Sequence, residues 1–357
     1  MMIDKGHHLR NTRLAALILG SLVFAAGCGG GGSASSENSD RTAGMTWDQI
    51  LSCAREEGTV TYYSSNIPNL NKAVGEALNA KYGIRVESYR DVDATIHQRV
   101  DAEIKTGKVV ADVVQTASPL TFQRMAEAGE LRATAGPAFD SPDYRPEYRH
   151  ADSQYFQTNS PFFVPAWNTD LLPAGLKDYS DLLKPELRGR IAIQDPSVSN
   201  VILDHYLWME RTEGPDFLPA LAALAPRVYP SQVQSIEALA AGEVAATTIM
   251  SPSLIAPRKA AGAPVDYVLP SGGSYPGSHF YASVLAGAPH PCAAQVLANF
   301  LVTSEGQDVV AENSASALPN VPGSPITIDK VEATDPNKFT DEFVDDHLAT
   351  WTKLFRR

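Results

Sequence analysis

Side chains able to hold a small solute recur at one kind of place in this sequence, the turn between a β-rich run and the helix that follows it. Ser65 and Asn66 follow the run Thr59–Ser64, Arg90 follows the run beginning at Ile84, and Ser118 precedes Pro119. Further on, Ser199 and Asn200 open a helix, and Ser251 and Ser253 flank Pro252. Hydroxyls and carboxamides supply hydrogen bonds without strong metal affinity, and free N–H groups at a helix N-terminus favour an anion. Arg90 can add a planar fork for a carboxylate or phosphonate. The set points to a small polar organic ligand carrying an anionic group: a phosphonate, a phosphate ester or a carboxylate. Each serine taken singly is equally a helix cap. Tyr275 and His279, among Gly272, Gly273 and Gly277, either line the same cleft or belong to a mobile glycine-rich loop.

The elements that position these residues alternate regularly. A helix over Trp47–Glu56 precedes the strand Thr59–Ser64. A helix over Leu70–Tyr82 ends at Gly83, a strand runs over Ile84–Tyr89, and a helix over Thr95–Ile104 ends near Gly107. Ala111–Gln115 is a third strand, and Ser118-Pro119 starts a helix with Ser at the N-cap and Pro at its first position. This βαβαβ order predicts parallel strands with right-handed crossovers, and ligands bind beyond the carboxyl ends of such strands. Asp91 and Asp93 read as caps or flanks of the helix near Thr95. The pattern restarts after Phe162–Trp167, with strands at Ile191–Gln194, Val244–Ile249, Val265–Leu269 and Ala282–Leu285. Helices are predicted up to Arg211, over Ile236–Ala241, from Ser251, over Cys292–Leu301 and Glu305–Glu312, and over Thr340–Phe355.

The N-terminal segment reads as an address. Lys5, Arg10 and Arg13 precede a nearly continuous apolar run, Leu14–Ala26, too short for a bilayer span of about 20 residues. Ala26-Gly27-Cys28 resembles the bacterial lipobox, with Ala25 where leucine is usual; the resemblance implies cleavage after residue 27 and a lipid on Cys28. Residues 28–45, rich in Gly and Ser, then read as a flexible tether. Removing residues 1–27 leaves 26 basic against 40 acidic residues, a net −14 that argues against nucleic acid as partner. Cys53 and Cys292 remain, either bridged or two buried thiols. Neither lies in a redox or zinc motif, and no cofactor or metal is expected. The chain lacks GxSxG and HExxH, so it is read as a binding protein rather than an exported hydrolase.

Several stretches resemble one family in order along the chain. They are the helix, Glu56-Glu57-Gly58 and Val60–Ser64; Lys108–Gln115 with Ala111-Asp112-Val113; Trp167–Asp170; Leu187–Ile191; Ala240–Val244; and Ala288-Pro289-His290-Pro291 followed by Asn299–Leu301 and Ser304–Gln307. Together they are similar to the extracellular solute-binding proteins of the ferric-iron-type ABC importer cluster. The resemblance implies an α/β, two-lobed type II periplasmic-binding-protein (venus-flytrap) fold. Each lobe would be a mixed, mostly parallel sheet flanked by helices, and two crossing strands would form the hinge. Residues 46–164 and 282–316 would form the first lobe and 165–281 the second, with 317–357 packing back across both. His290 reads as a structural helix-entry residue. The implied partners are a small ligand and importer permease subunits, with the protein a monomer anchored on the outer face of the cytoplasmic membrane. A ligand-sensing lipoprotein is the other role such a body can play. Iron-binding members use adjacent tyrosines after the "G-E-V" strand, where this chain has Met250-Ser251-Pro252-Ser253. Tyr62-Tyr63 lies within a strand, whose alternation sends the pair to opposite faces. Ferric iron is therefore the alternative ligand, not the expected one.

Overall fold

The computed structural model describes residues 41–356. The leader, Cys28 and the tether up to residue 40 lie outside the described residues. The first helix, Trp47–Glu57, starts at a capping box: Thr46 accepts from the Gln49 N–H while the Gln49 side chain accepts from Thr46. It delivers the chain into Thr59–Ser64, which pairs in parallel with Arg85–Arg90 on one side and Val113–Thr116 on the other. The helices Pro68–Tyr82 and Asp93–Thr106 make the crossovers, each ended by a left-handed glycine, Gly83 and Gly107.

The rest of this first sheet is antiparallel and comes from distant sequence. Phe280–Leu285 lies between Val113–Thr116 and Tyr155–Ser160, and Ala315–Ser316 closes the far edge. Tyr155–Ser160 is a strand that periodicity did not predict. All six residues are buried although four of them, Gln157, Thr158, Asn159 and Ser160, carry polar side chains. Gln115, Tyr281, His279 and one another supply partners for them, with Asn159 Nδ2 left without one. The second sheet, in order Val265–Tyr267, Val164–Asn168, Ala246–Met250, Ile191–Gln194 and Arg227–Tyr229, is also mixed. The parallel units expected from the βα alternation are present in both sheets, and the strands returning to the first sheet from later sequence pair antiparallel.

The chain passes between the sheets at residues 160–164 and 275–280, and the two passages are bonded together. Phe163 N–H donates to Pro276 O and Ser278 N–H to Pro161 O. Gly277 is required there, since a Cβ would stand 2.3 Å from Pro161 O and 2.8 Å from Val331 Cγ1. A third strand joins them: Val331–Ala333 pairs in parallel with Tyr275–Gly277. The C-terminal segment contributes Leu318, Val321 and Ile328 to the first core, then Trp351 to the second, where helix Asp341–Phe355 ends.

One polar knot secures the first lobe. The buried Asp112 carboxylate accepts from Thr61 N–H (2.7 Å), His290 N–H (2.7 Å) and His290 Nδ1 (2.9 Å). Glu57 accepts from the N–H groups of Cys292 and Ala293. Helix Pro291–Leu301, buried on all sides, thus has its N-terminal donors satisfied by two acidic residues from other elements. Burial pushes both carboxyls above their usual range, against the pull of those donors. Beside the knot, Cys53 and Cys292 form a disulfide.

Candidate functional site

Two helices point their N-termini into one cavity of about 360 Å³ between the sheets. Helix Pro119–Glu127 contributes Ser118, Pro119 and Thr121 from the first lobe, and helix Asn200–Glu213 contributes Asn200 and Val201 from the second. Ser278 of the second passage and Thr334 and Pro336 of the C-terminal segment complete the wall. Ser118 occupies the N-cap position without capping by its side chain, so no hydroxyl covers that helix end. Its Oγ instead donates to Asp93 Oδ2 at 2.9 Å, and Ala117 N–H donates to the same oxygen at 3.1 Å. Asp93 Oδ1 takes no hydrogen bond among the described residues, and Asp93 lines the cavity. Asp93 therefore does more than flank its helix: it ties two strand-to-helix turns together and leaves one oxygen for a donor. No lysine or arginine is among the lining residues. Behind Thr334 stands Asp204, whose carboxyl burial raises against the Thr334 hydroxyl.

Of the candidates read from sequence, the structure brings Ser118 and Asn200 together in this cavity. Ser199 caps its own helix, accepting from Val201 N–H at 3.2 Å. Ser251 and Ser253 bond each other at 2.8 Å and are not among the lining residues. Asn66, 4 % exposed, turns inward. Its Nδ2 donates to Gln115 Oε1 at 2.6 Å, in a knot shared with Tyr62 and Ser64. Ser65 Oγ is buried without a partner. Arg90 is absent from the cavity: its Nε donates to Asn66 O and the side chain lines a separate outer groove. Tyr275 packs on Phe162 in the first core with its hydroxyl on Pro270 O. Tyr62 and Tyr63 lie on opposite faces of their strand, in different cores. Burial raises both phenols, Tyr63 to about 12. Sequence reading missed Thr121, Ser278, Thr334 and Pro336. Thr334 and Pro336 belong to a segment whose course no local pattern reveals.

Two buried histidines predict how acid acts on the fold. His279, at the second passage, bonds Ser160 Oγ at 2.6 Å, and burial with His150 nearby lowers it to about 4. His205 is enclosed in the second core with Nε2 on Thr248 O, and burial lowers it to about 3. Both stay neutral when folded and protonate near 6.5 when unfolded, so their contribution is complete above that pH and is lost on acidification toward 4 and 3. At pH 5 the two together are expected to cost roughly 4 kcal/mol relative to pH 7.5. Urea unfolding of the wild type and of His205→Gln with His279→Gln at the two pH values checks this: the double variant should lose markedly less stability on acidification, and an unchanged pH dependence would refute it.

Two α/β sheets joined by paired passages, with a cavity where helix N-termini from both meet, define a two-lobed solute-binding protein. The family described as "Bacterial extracellular solute-binding protein" matches residues 73–340, and the chain belongs to it. No curated protein sequence matches the chain. Among solved structures, iron-bound HitA from Pseudomonas aeruginosa is similar at 22 % identity and TM-score 0.59, covering 83 % of this chain and 99 % of its own. The substrate binding protein of an ABC transporter from Agrobacterium tumefaciens has 16 % identity and TM-score 0.64, covering 85 % and 97 %. AfuA from Actinobacillus pleuropneumoniae, with fructose-6-phosphate bound, has 19 % identity and TM-score 0.55, covering 84 % and 99 %. At these identities the likeness is one of fold. Among the described residues no helix is long and apolar enough to cross a membrane.

Proposed function

We propose that this protein is the exported solute-binding subunit of an ABC importer, held at the membrane through Cys28. Its ligand is a small polar organic solute with an anionic end, such as a phosphonate, phosphate ester or carboxylate. The carrying observation is the shared cavity, in which two helix N-termini face a carboxylate with a free oxygen and no cation intervenes. The helix N-termini suit the anionic end. Asp93 Oδ1 suits an ammonium or hydroxyl donor on the same molecule, which makes a zwitterion the best-matched ligand. The closed form would then dock on the permease. Iron-bound HitA makes ferric iron the natural alternative, but no tyrosine lines this cavity. The one cluster of His, Cys, Asp or Glu suited to a metal among the described residues is Cys53, Glu57 and Cys292, whose sulfurs are in the disulfide.

The test is thermal unfolding against aminoalkylphosphonates, amino acids, sugar phosphates, carboxylates and Fe(III)-citrate. A ligand at a hundredfold excess over its Kd adds about 2.7 kcal/mol of stability. The expected result is a shift with a zwitterion, weakened about 10- to 100-fold in affinity by Asp93→Asn. A shift with Fe(III)-citrate alone would overturn the organic-solute reading.

A further inference from the structure

On the first lobe, with no residue in common with the cavity between the sheets, a groove of about 620 Å³ runs between helix Pro68–Tyr82 and strand Arg85–Arg90. That strand is the edge of its sheet, paired only with Thr59–Ser64. Arg85 N–H donates inward to Gly58 O. By strand alternation the N–H and C=O groups of Val86, Ser88 and Arg90 face outward, and these three residues line the groove. Gly75 keeps helix and strand close at one point, since a Cβ there would lie 3.3 Å from Val86 Cβ. Asn71 also lines the groove, is 2 % exposed, and has neither its Nδ2 nor its Oδ1 hydrogen-bonded. A buried carboxamide lacking both partners is costly, and native structures rarely retain one without a reason.

We infer that this groove takes an extended peptide segment of a partner protein, added as a further strand beside Arg85–Arg90, with an acidic side chain next to Arg90. The choice of occupant follows from what is unpaired. An inorganic anion would satisfy the amide donor of Asn71 and leave its carbonyl bare, whereas a peptide group offers both an acceptor and a donor. The open strand edge makes the same paired demand along its length. Charge decides the side chain. Lys72 is paired with Glu76 (3.3 Å) and Arg85 with Glu87 (2.8 Å), so Arg90 is the groove cation without a carboxylate partner among the described residues.

The probe is a short strand-forming peptide of alternating threonine and valine with one central glutamate, titrated into the isotope-labelled protein. The expected result is saturable binding that moves the backbone amide resonances of Val86, Ser88 and Arg90 and the side-chain amide of Asn71. Ser88→Pro removes an outward N–H without touching the ladder, and Asn71→Leu removes two unsatisfied atoms, so neither threatens the fold. Each is expected to weaken binding at least about tenfold. N-methylation of alternate peptide amides is expected to abolish binding, and lysine in place of the glutamate to weaken it about threefold. The inference is overturned if the resonances stay still, if the N-methylated peptide binds equally well, or if sedimentation shows the edge occupied by a second copy of the chain.

Discussion

Asp112→Ala is expected to cost about 3–5 kcal/mol of stability. The carboxylate is fully buried and holds three donors from two distant parts of the chain, Thr61 and His290. Truncation leaves two part-buried backbone N–H groups without their acceptor, and a fully buried group so orphaned carries a desolvation penalty of about 1–3 kcal/mol. His290→Ala is the informative comparison. It removes one side-chain bond and leaves both backbone bonds to Asp112, so about 1 kcal/mol is expected. Urea titration of the two variants separates these cases. Near-equal losses would mean that the backbone bonds to Asp112 contribute little.

Loss of the disulfide is expected to cost about 2–4 kcal/mol. Cys53 and Cys292 are 239 residues apart in sequence, so the bond restricts a very large loop in the unfolded chain. It also joins helix Trp47–Glu57 to helix Pro291–Leu301 at the place where Glu57 satisfies the second helix's N-terminus. The wild type should melt at a lower temperature in the presence of a thiol reductant. Cys53→Ser with Cys292→Ser should melt at that lower temperature whether or not reductant is added. A wild type indifferent to reductant would show that the bond is absent in solution or contributes nothing.

The knot around Asp112 also explains what was legible in the sequence. Glu56-Glu57-Gly58, Ala111-Asp112-Val113 and Ala288-Pro289-His290-Pro291 are among the stretches that carried the family resemblance, and they meet at this one spot. They report how the first lobe is assembled and say little about what the cleft holds. Helices and parallel strands were readable because each carries its own periodicity and its own stop signal, such as Gly83 and Gly107. Tyr155–Ser160 was not readable, because its buried polar residues depend on partners that only the folded sheet brings near. The site was half legible for a similar reason. A serine after a strand announces a turn, but only packing decides whether its hydroxyl faces a cavity, as Ser118 does, or a neighbour, as Ser251 does. Arg90 lies outside the cavity because its strand is at the edge of the sheet, where the side chain follows the outer groove. Asp93 read as a helix flank, and its second role appears only when the turn at Ser118 folds against it.

The placement of Phe280–Leu285 inside the first sheet sets an order of events during synthesis. The strands Thr59–Ser64, Arg85–Arg90 and Val113–Thr116 leave the ribosome early, but the strand that joins them to Tyr155–Ser160 emerges long afterwards. The second sheet draws all its strands from the continuous stretch 164–267 and closes without waiting for that strand. By sequence position, the later sheet therefore has all its strands before the first sheet does, whose opening strands lack their antiparallel neighbour until residue 285.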